Sequence, residues 1–187
     1  MNAPYFEPLT IADQTYDLGH LEPFSINVDS KKAGKVLNVR VRFTCHCYTV
    51  GFKEELHQPG HPVLKDMGGR ERLFCPIRYR LSFDLPAIVQ GLQDGRANVK
   101  QTTRLRNWAH SLVIEDPQGP YHVFFEVRRA AKHGNRIKQD LDLTVESAYH
   151  EDPTMGPPAL RGNMRFNILC GKVYRGEPVA TQKGGRR

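Results

Sequence analysis

From Lys35 to Thr49 the chain alternates: Leu37, Val39, Val41, Phe43, Cys45 and Cys47 fall on one parity, and Asn38, Arg40, Arg42, Thr44, His46 and Tyr48 on the other. A period of two is that of a half-buried strand, so one long strand is expected over 35–49. Phe24, Ile26 and Val28 alternate in the same way ahead of the turn-forming DSKKAGK, which predicts a hairpin. Tyr5 to Ile11 and Thr15 to Leu18 read as short extended pieces on either side of Ala12-Asp13. Lys53 to Gly69 has no period but contains two His-Pro/Gly clusters, and is expected to be a long surface loop.

Helical spacing is clear in one place. Leu85, Ile88, Val89 and Leu92 share a face, Ser82 or Asp84 can cap, Pro86 suits a first turn and Asp94-Gly95 stops the run. A shorter helical turn over Ile77 to Leu81 precedes it. A meander follows, with strands over Asn107 to Ile114, Tyr121 to Ala130 and Gln139 to Tyr149 separated by DPQGP and KHGNR. Met164, Phe166, Ile168 and Cys170 predict a further strand, with a bulge at Gly171 that re-phases Val173. Glu151 to Gly162 is a Pro- and Gly-rich connector.

The register of the second meander hairpin follows from its charges. Core parity allows only alternate registers, and placing Val127 opposite Leu141 would set Glu126 against Asp142. A shift by two sets Arg128 against Asp142, Glu126 against Thr144 and Tyr121 against Tyr149, which cross-strand energetics prefer. The expected fold is α+β: a single domain of mainly antiparallel sheet, about seven strands with the meander in the C-terminal half, and one main helix near residues 84–94 packed on one face. The domain is expected over 1–178, with 53–69 as its long loop, 151–162 as its connector and 179–187 as a disordered basic tail.

Composition changes the picture in one respect. Lys and Arg number 27 against 20 Asp and Glu, a net charge of +7. Charge of that sign steers polyanions. The amino terminus lacks the charged and apolar regions of a secretory signal, and no apolar run approaches the roughly 18 residues of a membrane helix. A cytoplasmic location, no membrane partner and reduced thiols at the four cysteines are expected accordingly.

The basic residues fall into groups. Arg128, Arg129, Lys132, Arg136 and Lys138 bring five positive charges into eleven residues with no acid, forming a hairpin tip that can track a phosphate backbone. The strand face Arg40, Arg42, His46 and Tyr48 interleaves cations with an aromatic, as single-strand binding platforms do. Arg70, Arg72, Arg78 and Arg80 form a third group. Such charges also serve simply as solvated faces that keep strands from aggregating. The leading expectation is a nucleic-acid-binding module for RNA or single strands.

Two chemistries compete with it. Metal-independent, toxin-like ribonuclease action needs a base, an acid and a cation, for which His122, Glu126 and Arg128 are the candidates. His122 and Glu126 are four strand residues apart, about 13 Å, and Arg128 has a structural partner in Asp142. Cys45-His46-Cys47, with Cys75, His57 and His61, suggests zinc, although on a strand His46 points away from its two neighbours and the usual C-x2-4-C spacing is absent. Core thiols are the plainer reading, so no cofactor is expected. A zinc-stapled or metal-free protein-interaction domain, its protein partner unidentified, is the remaining alternative.

Overall fold

The computed structural model describes residues 3–102, 117, 119–131, 139–151 and 156–179, and the backbone alone of 108–112. Among these, twelve strands and three helices occur in the order β1 (Leu9–Ile11), β2 (Gln14–Tyr16), β3 (Phe24–Ser30), β4 (Lys35–Phe43), β5 (Thr49–Gly51), β6 (Val63–Lys65), β7 (Glu71–Phe74), α1 (Pro76–Ser82), α2 (Leu85–Gly91), β8 (Asn98–Thr102), β9 (Trp108–Leu112), β10 (Tyr121–Arg129), β11 (Leu141–His150), β12 (Leu160–Arg165) and α3 (Phe166–Arg175). Ala12 and Asp13 both take left-handed backbone, at φ 46° and 64°, which is what a two-residue hairpin turn between β1 and β2 demands.

Seven strands form the main sheet, in the order β12-β8-β9-β10-β11-β4-β3, and β5-β7-β6 form a smaller one. The fold is α+β and its pairings are antiparallel, with one exception: β11 runs parallel to β4, Leu141 opposite Val39 and Val145 opposite Phe43. Asp140 sets this seam. Its carboxylate accepts from the Asn38 amide at 2.9 Å and the Lys35 ammonium at 2.7 Å, while its own amide donates to the Asn38 carbonyl at 2.9 Å.

The alternation in β3 and β4 is realised: Ile26, Val28, Leu37, Val39, Val41 and Phe43 are all buried, facing Leu141, Leu143 and Val145 of β11 in one apolar cluster. α2 adds Leu85 and Val89 to this cluster, and Gly95 ends its run as the sequence predicts.

Four expectations need correction. The strand over 35–49 stops at Phe43, and Cys45–Cys47 is a 3-10 turn. Thr44 redirects the chain: its hydroxyl donates to the Glu146 carbonyl at 2.6 Å and accepts from the His46 amide at 3.2 Å, a local capping bond that competes with the ladder. The loop over 53–69 contains a 3-10 turn at Glu54–Leu56 and the strand β6.

In the meander hairpin Arg128 pairs with Asp142 and Glu126 with Thr144 as expected, but a bulge between Phe124 and Phe125 sets Tyr121 opposite His150 instead of Tyr149. The bulge shifts the register by one at that end of the hairpin.

The fourth correction is the largest. Residues 166–175 are the helix α3, so the helix near 84–94 is not the longest one, and Gly171 is not a bulge. Phe166, Leu169, Cys170 and Val173 recur at i, i+3, i+4 and i+7 and face the core, with the Phe166 ring edge-on to Phe125 at 5.8 Å. Gly176, left-handed at φ 71°, ends the helix.

Candidate functional site

Register places the basic residues of the main sheet. Arg40 lies opposite Asp142, which lies opposite Arg128, and one step along Arg42 lies beside Thr144 and Glu126. Strands are about 4.8 Å apart, so Arg40 and Arg128 flank Asp142 on the polar face of the sheet, about 10 Å from each other. The side chains of Arg42 and Arg128 are 51% and 65% exposed. Their carboxylate partners differ from expectation. Arg128 pairs with Glu126 on its own strand at 2.7 Å, and Asp142 is held instead by Arg42 at 3.8 Å and by the Gln139 side-chain amide.

Arg129 faces the other way. At the root of the β10–β11 hairpin it lies over the ring of Tyr174 at 6.0 Å, and the Lys35 ammonium approaches the same ring at 5.1 Å. Arg129, Ala130, Gln139, Asp140 and Tyr174 line a recess of about 440 Å³ there. Sequence reasoning named Arg129 but missed Lys35 and Tyr174. The helical spacing of Phe166, Leu169, Cys170 and Val173 was the signal that sets Tyr174 on the flank of a helix. Lys132, Arg136 and Lys138, expected at the tip of the hairpin, lie outside the described residues.

His46 and Tyr48 do not join this face. Tyr48 is only 4% exposed and meets Phe6 edge-on at 5.3 Å. His46 turns toward the loop after β6, where its Nε2–H donates to Asp66 at 2.9 Å. Asp66 also accepts from the Arg70 Nε–H at 2.8 Å and from the amides of Gly68 and Arg70 at 2.9 and 3.0 Å. Arg72 and Arg78 converge on the Thr49 carbonyl at 3.0 and 2.9 Å, and Arg78 also donates to the His46 carbonyl at 3.1 Å. These arginines pin the Cys-His-Cys turn between the two sheets.

The zinc candidates are not assembled. Cys47 is buried, and burial pushes its thiol up to about 12. Cys45 is half-buried, its thiol also raised by burial, and His57 donates to the His61 carbonyl at 3.1 Å in the preceding loop. Among the described residues no group of three or more His, Cys, Asp or Glu side chains is placed to hold a metal ion.

Of the nuclease candidates, Glu126 and Arg128 are brought together at 2.7 Å, and His122 has a different carboxylate partner. His122 is buried and its Nε2–H donates to Glu151 at 2.7 Å, while Glu126 holds Arg128.

Burial lowers the His46 pKa from its ordinary 6.5 despite the opposing effect of Asp66, and the hydrogen bonds from Arg70, His46 and Gly68 hold the Asp66 carboxyl well below the usual range in spite of desolvation. The folded state therefore resists a proton at His46 that the unfolded chain accepts, and stability falls as pH drops through about 6.5. A second loss, from Asp66, follows below about 4 as its unfolded-state carboxyl takes up a proton. Thermal melts between pH 7.5 and 5 are expected to show a steady decline that His46→Gln flattens. Some slope persists, because burial lowers the His20 pKa in the same direction. An unchanged slope in the variant would remove His46 from this account.

The model of the YjaZ family matches residues 8–174. No curated protein and no solved structure matches the chain.

Proposed function

The chain belongs to the YjaZ family, whose model spans nearly all of the residues described above, and we propose that it binds single-stranded nucleic acid along the β10–β11 hairpin and the polar face of the main sheet. The observation that carries this reading is the Tyr174 ring with the Lys35 and Arg129 cations over it. An aromatic ring offers stacking to any base, and a base that takes a cation's place over Tyr174 leaves that cation to hold the adjoining phosphate. From this recess the sheet continues to Arg128, Arg40 and Arg42 on its other face. The pair of Arg42 with Asp142, at 3.8 Å with the Arg42 side chain half exposed, is of the kind worth about 0–1 kcal/mol, so Arg42 exchanges a carboxylate for a phosphate at little cost, while the exposed Arg128 side chain can reach a phosphate from beside Glu126. The net charge of +7 supplies the long-range attraction.

The test is fluorescence anisotropy with a labelled 20-mer oligouridylate and a DNA duplex, each at several salt concentrations. The single strand is expected to bind more tightly. Tyr174→Leu weakens that binding about 5- to 100-fold with the salt slope retained, whereas replacing Arg40, Arg42 and Arg128 together by Ser lowers the slope by about 2–3. An oligouridylate that fails to bind wild-type protein at low salt, or binds Tyr174→Leu equally, sinks the proposal.

A further inference from the structure

A cleft of about 700 Å³ opens between α1, the end of β11 and the segment before β12. Its walls are largely apolar, from Ile77, Leu81, Pro157 and Pro158, and Arg78 lies among them. The volume is in the range of small-molecule sites, which combine apolar walls with a few placed polar groups.

Arg78 is held in an unusual way for a half-buried cation. Its Nη1 donates to two backbone carbonyls, of His46 and Thr49, and its guanidinium lies over the Tyr149 ring at 5.1 Å. All three partners are neutral. Among the described residues no carboxylate pairs with Arg78, and its Nε–H and Nη2–H groups have no acceptor. A desolvated charge ordinarily has an ionic partner, and burial does pull the Arg78 pKa down from its usual value. The Nε/Nη2 edge of a guanidinium is the edge that takes a carboxylate side-on through two parallel hydrogen bonds.

Glu151 lines the same cleft, with its Oε1 accepting from His122 at 2.7 Å. One arginine and one carboxylate in a shared wall suit a ligand with a single negative charge, because a dianion would be repelled by Glu151. We infer that this cleft binds a small monocarboxylate with an apolar body, its carboxylate seated on Arg78 and its body against Ile77, Leu81 and the Pro157-Pro158 wall. The site uses none of the residues assigned to nucleic-acid binding, so each reading stands or falls separately.

The experiment is an NMR titration of the full chain with 3-phenylpropionate, its neutral counterpart 3-phenylpropanamide, and phenyl phosphate. 3-Phenylpropionate is expected to bind with a dissociation constant of order 1–10 mM, typical for a ligand of this size, and to move the Arg78 Nε–H resonance. The amide is expected to bind at least about tenfold more weakly, since a lost charge-assisted hydrogen bond is worth about that factor, and phenyl phosphate to bind more weakly than 3-phenylpropionate because its second charge meets the Glu151 carboxylate. Ala159→Trp places a large ring in the mouth of the cleft from an exposed position and is expected to abolish binding with unchanged melting. Arg78→Met removes the preference for carboxylate over amide. If Arg78→Met does not fold, Ala159→Trp and the wild-type resonance still decide the matter. Equal binding of acid and amide, tighter binding of phenyl phosphate, a stationary Arg78 resonance, or full binding by Ala159→Trp would each overturn the inference.

Discussion

Leu169→Ala is expected to lower stability by about 2–5 kcal/mol, whereas Ile168→Ala, one residue earlier, costs well under about 1 kcal/mol. The contrast comes from the helix. Leu169 is 0% exposed within the core beside Phe166 and Cys170, while Ile168 is 40% exposed on the solvent side of α3. A strand through the same residues would reverse the ranking, because Ile168 would then share the buried parity of Phe166 and Cys170. Chemical denaturation of the two variants, compared at equal m-values, reads the difference directly. Equal losses, or a larger loss for Ile168→Ala, would refute the helix.

Gly171→Ala is expected to cost about 1–3 kcal/mol, the usual penalty of overpacking, although alanine is the better helix former by about 1 kcal/mol. A Cβ at this position would come within 2.6 Å of the Lys32 Cβ and closer still to the Ser30 hydroxyl. Ser30 cannot readily step aside. It is 1% exposed, and its hydroxyl donates to the Asn167 carbonyl at 2.8 Å and accepts from the Ala33 amide at 3.3 Å. The missing side chain is therefore what lets α3 lie directly on the β3–β4 turn. Adding Ser30→Ala to the variant should recover part of the loss, with the Lys32 contact retaining the rest. A Gly171→Ala protein as stable as wild type would mean that the helix and the turn do not approach this closely.

These two positions also show what the sequence does and does not disclose. In residues 164–173 two periods coexist: Met164, Phe166, Ile168 and Cys170 alternate, and Phe166, Leu169, Cys170 and Val173 keep helical spacing. Short apolar runs carry both signals, and packing against Phe125 decides between them. In β4 the alternation is honest up to Phe43 and misleading after it, because Cys45 and Cys47 continue the apolar parity while Thr44 has already turned the chain. The charges of β10 and β11 reveal the register at the hairpin end, where Arg128 meets Asp142, yet nothing in the apolar stretch from Tyr121 to Phe125 marks the bulge. Candidate sites follow the same rule. Arg40 and Arg42 were legible as neighbours because strand parity is local, whereas Arg128 joins them only through the parallel pairing of β11 with β4. The meeting of Lys35, Arg129 and Tyr174, and of Arg78 with Tyr149, depends on tertiary placement that no local period encodes.

The parallel seam between β4 and β11 has a consequence for how the chain is made. It joins residues such as Asn38 and Asp140 that are 102 positions apart, so during synthesis at about 5–20 residues per second the edge of β4 waits roughly 5–20 s for its partner. During that interval the β3–β4 hairpin presents an unpaired strand rich in valine, the kind of edge that recruits other chains. Lys35, Arg40 and Arg42 lie along that edge, and their repulsion from an identical strand guards the nascent hairpin until β11 arrives.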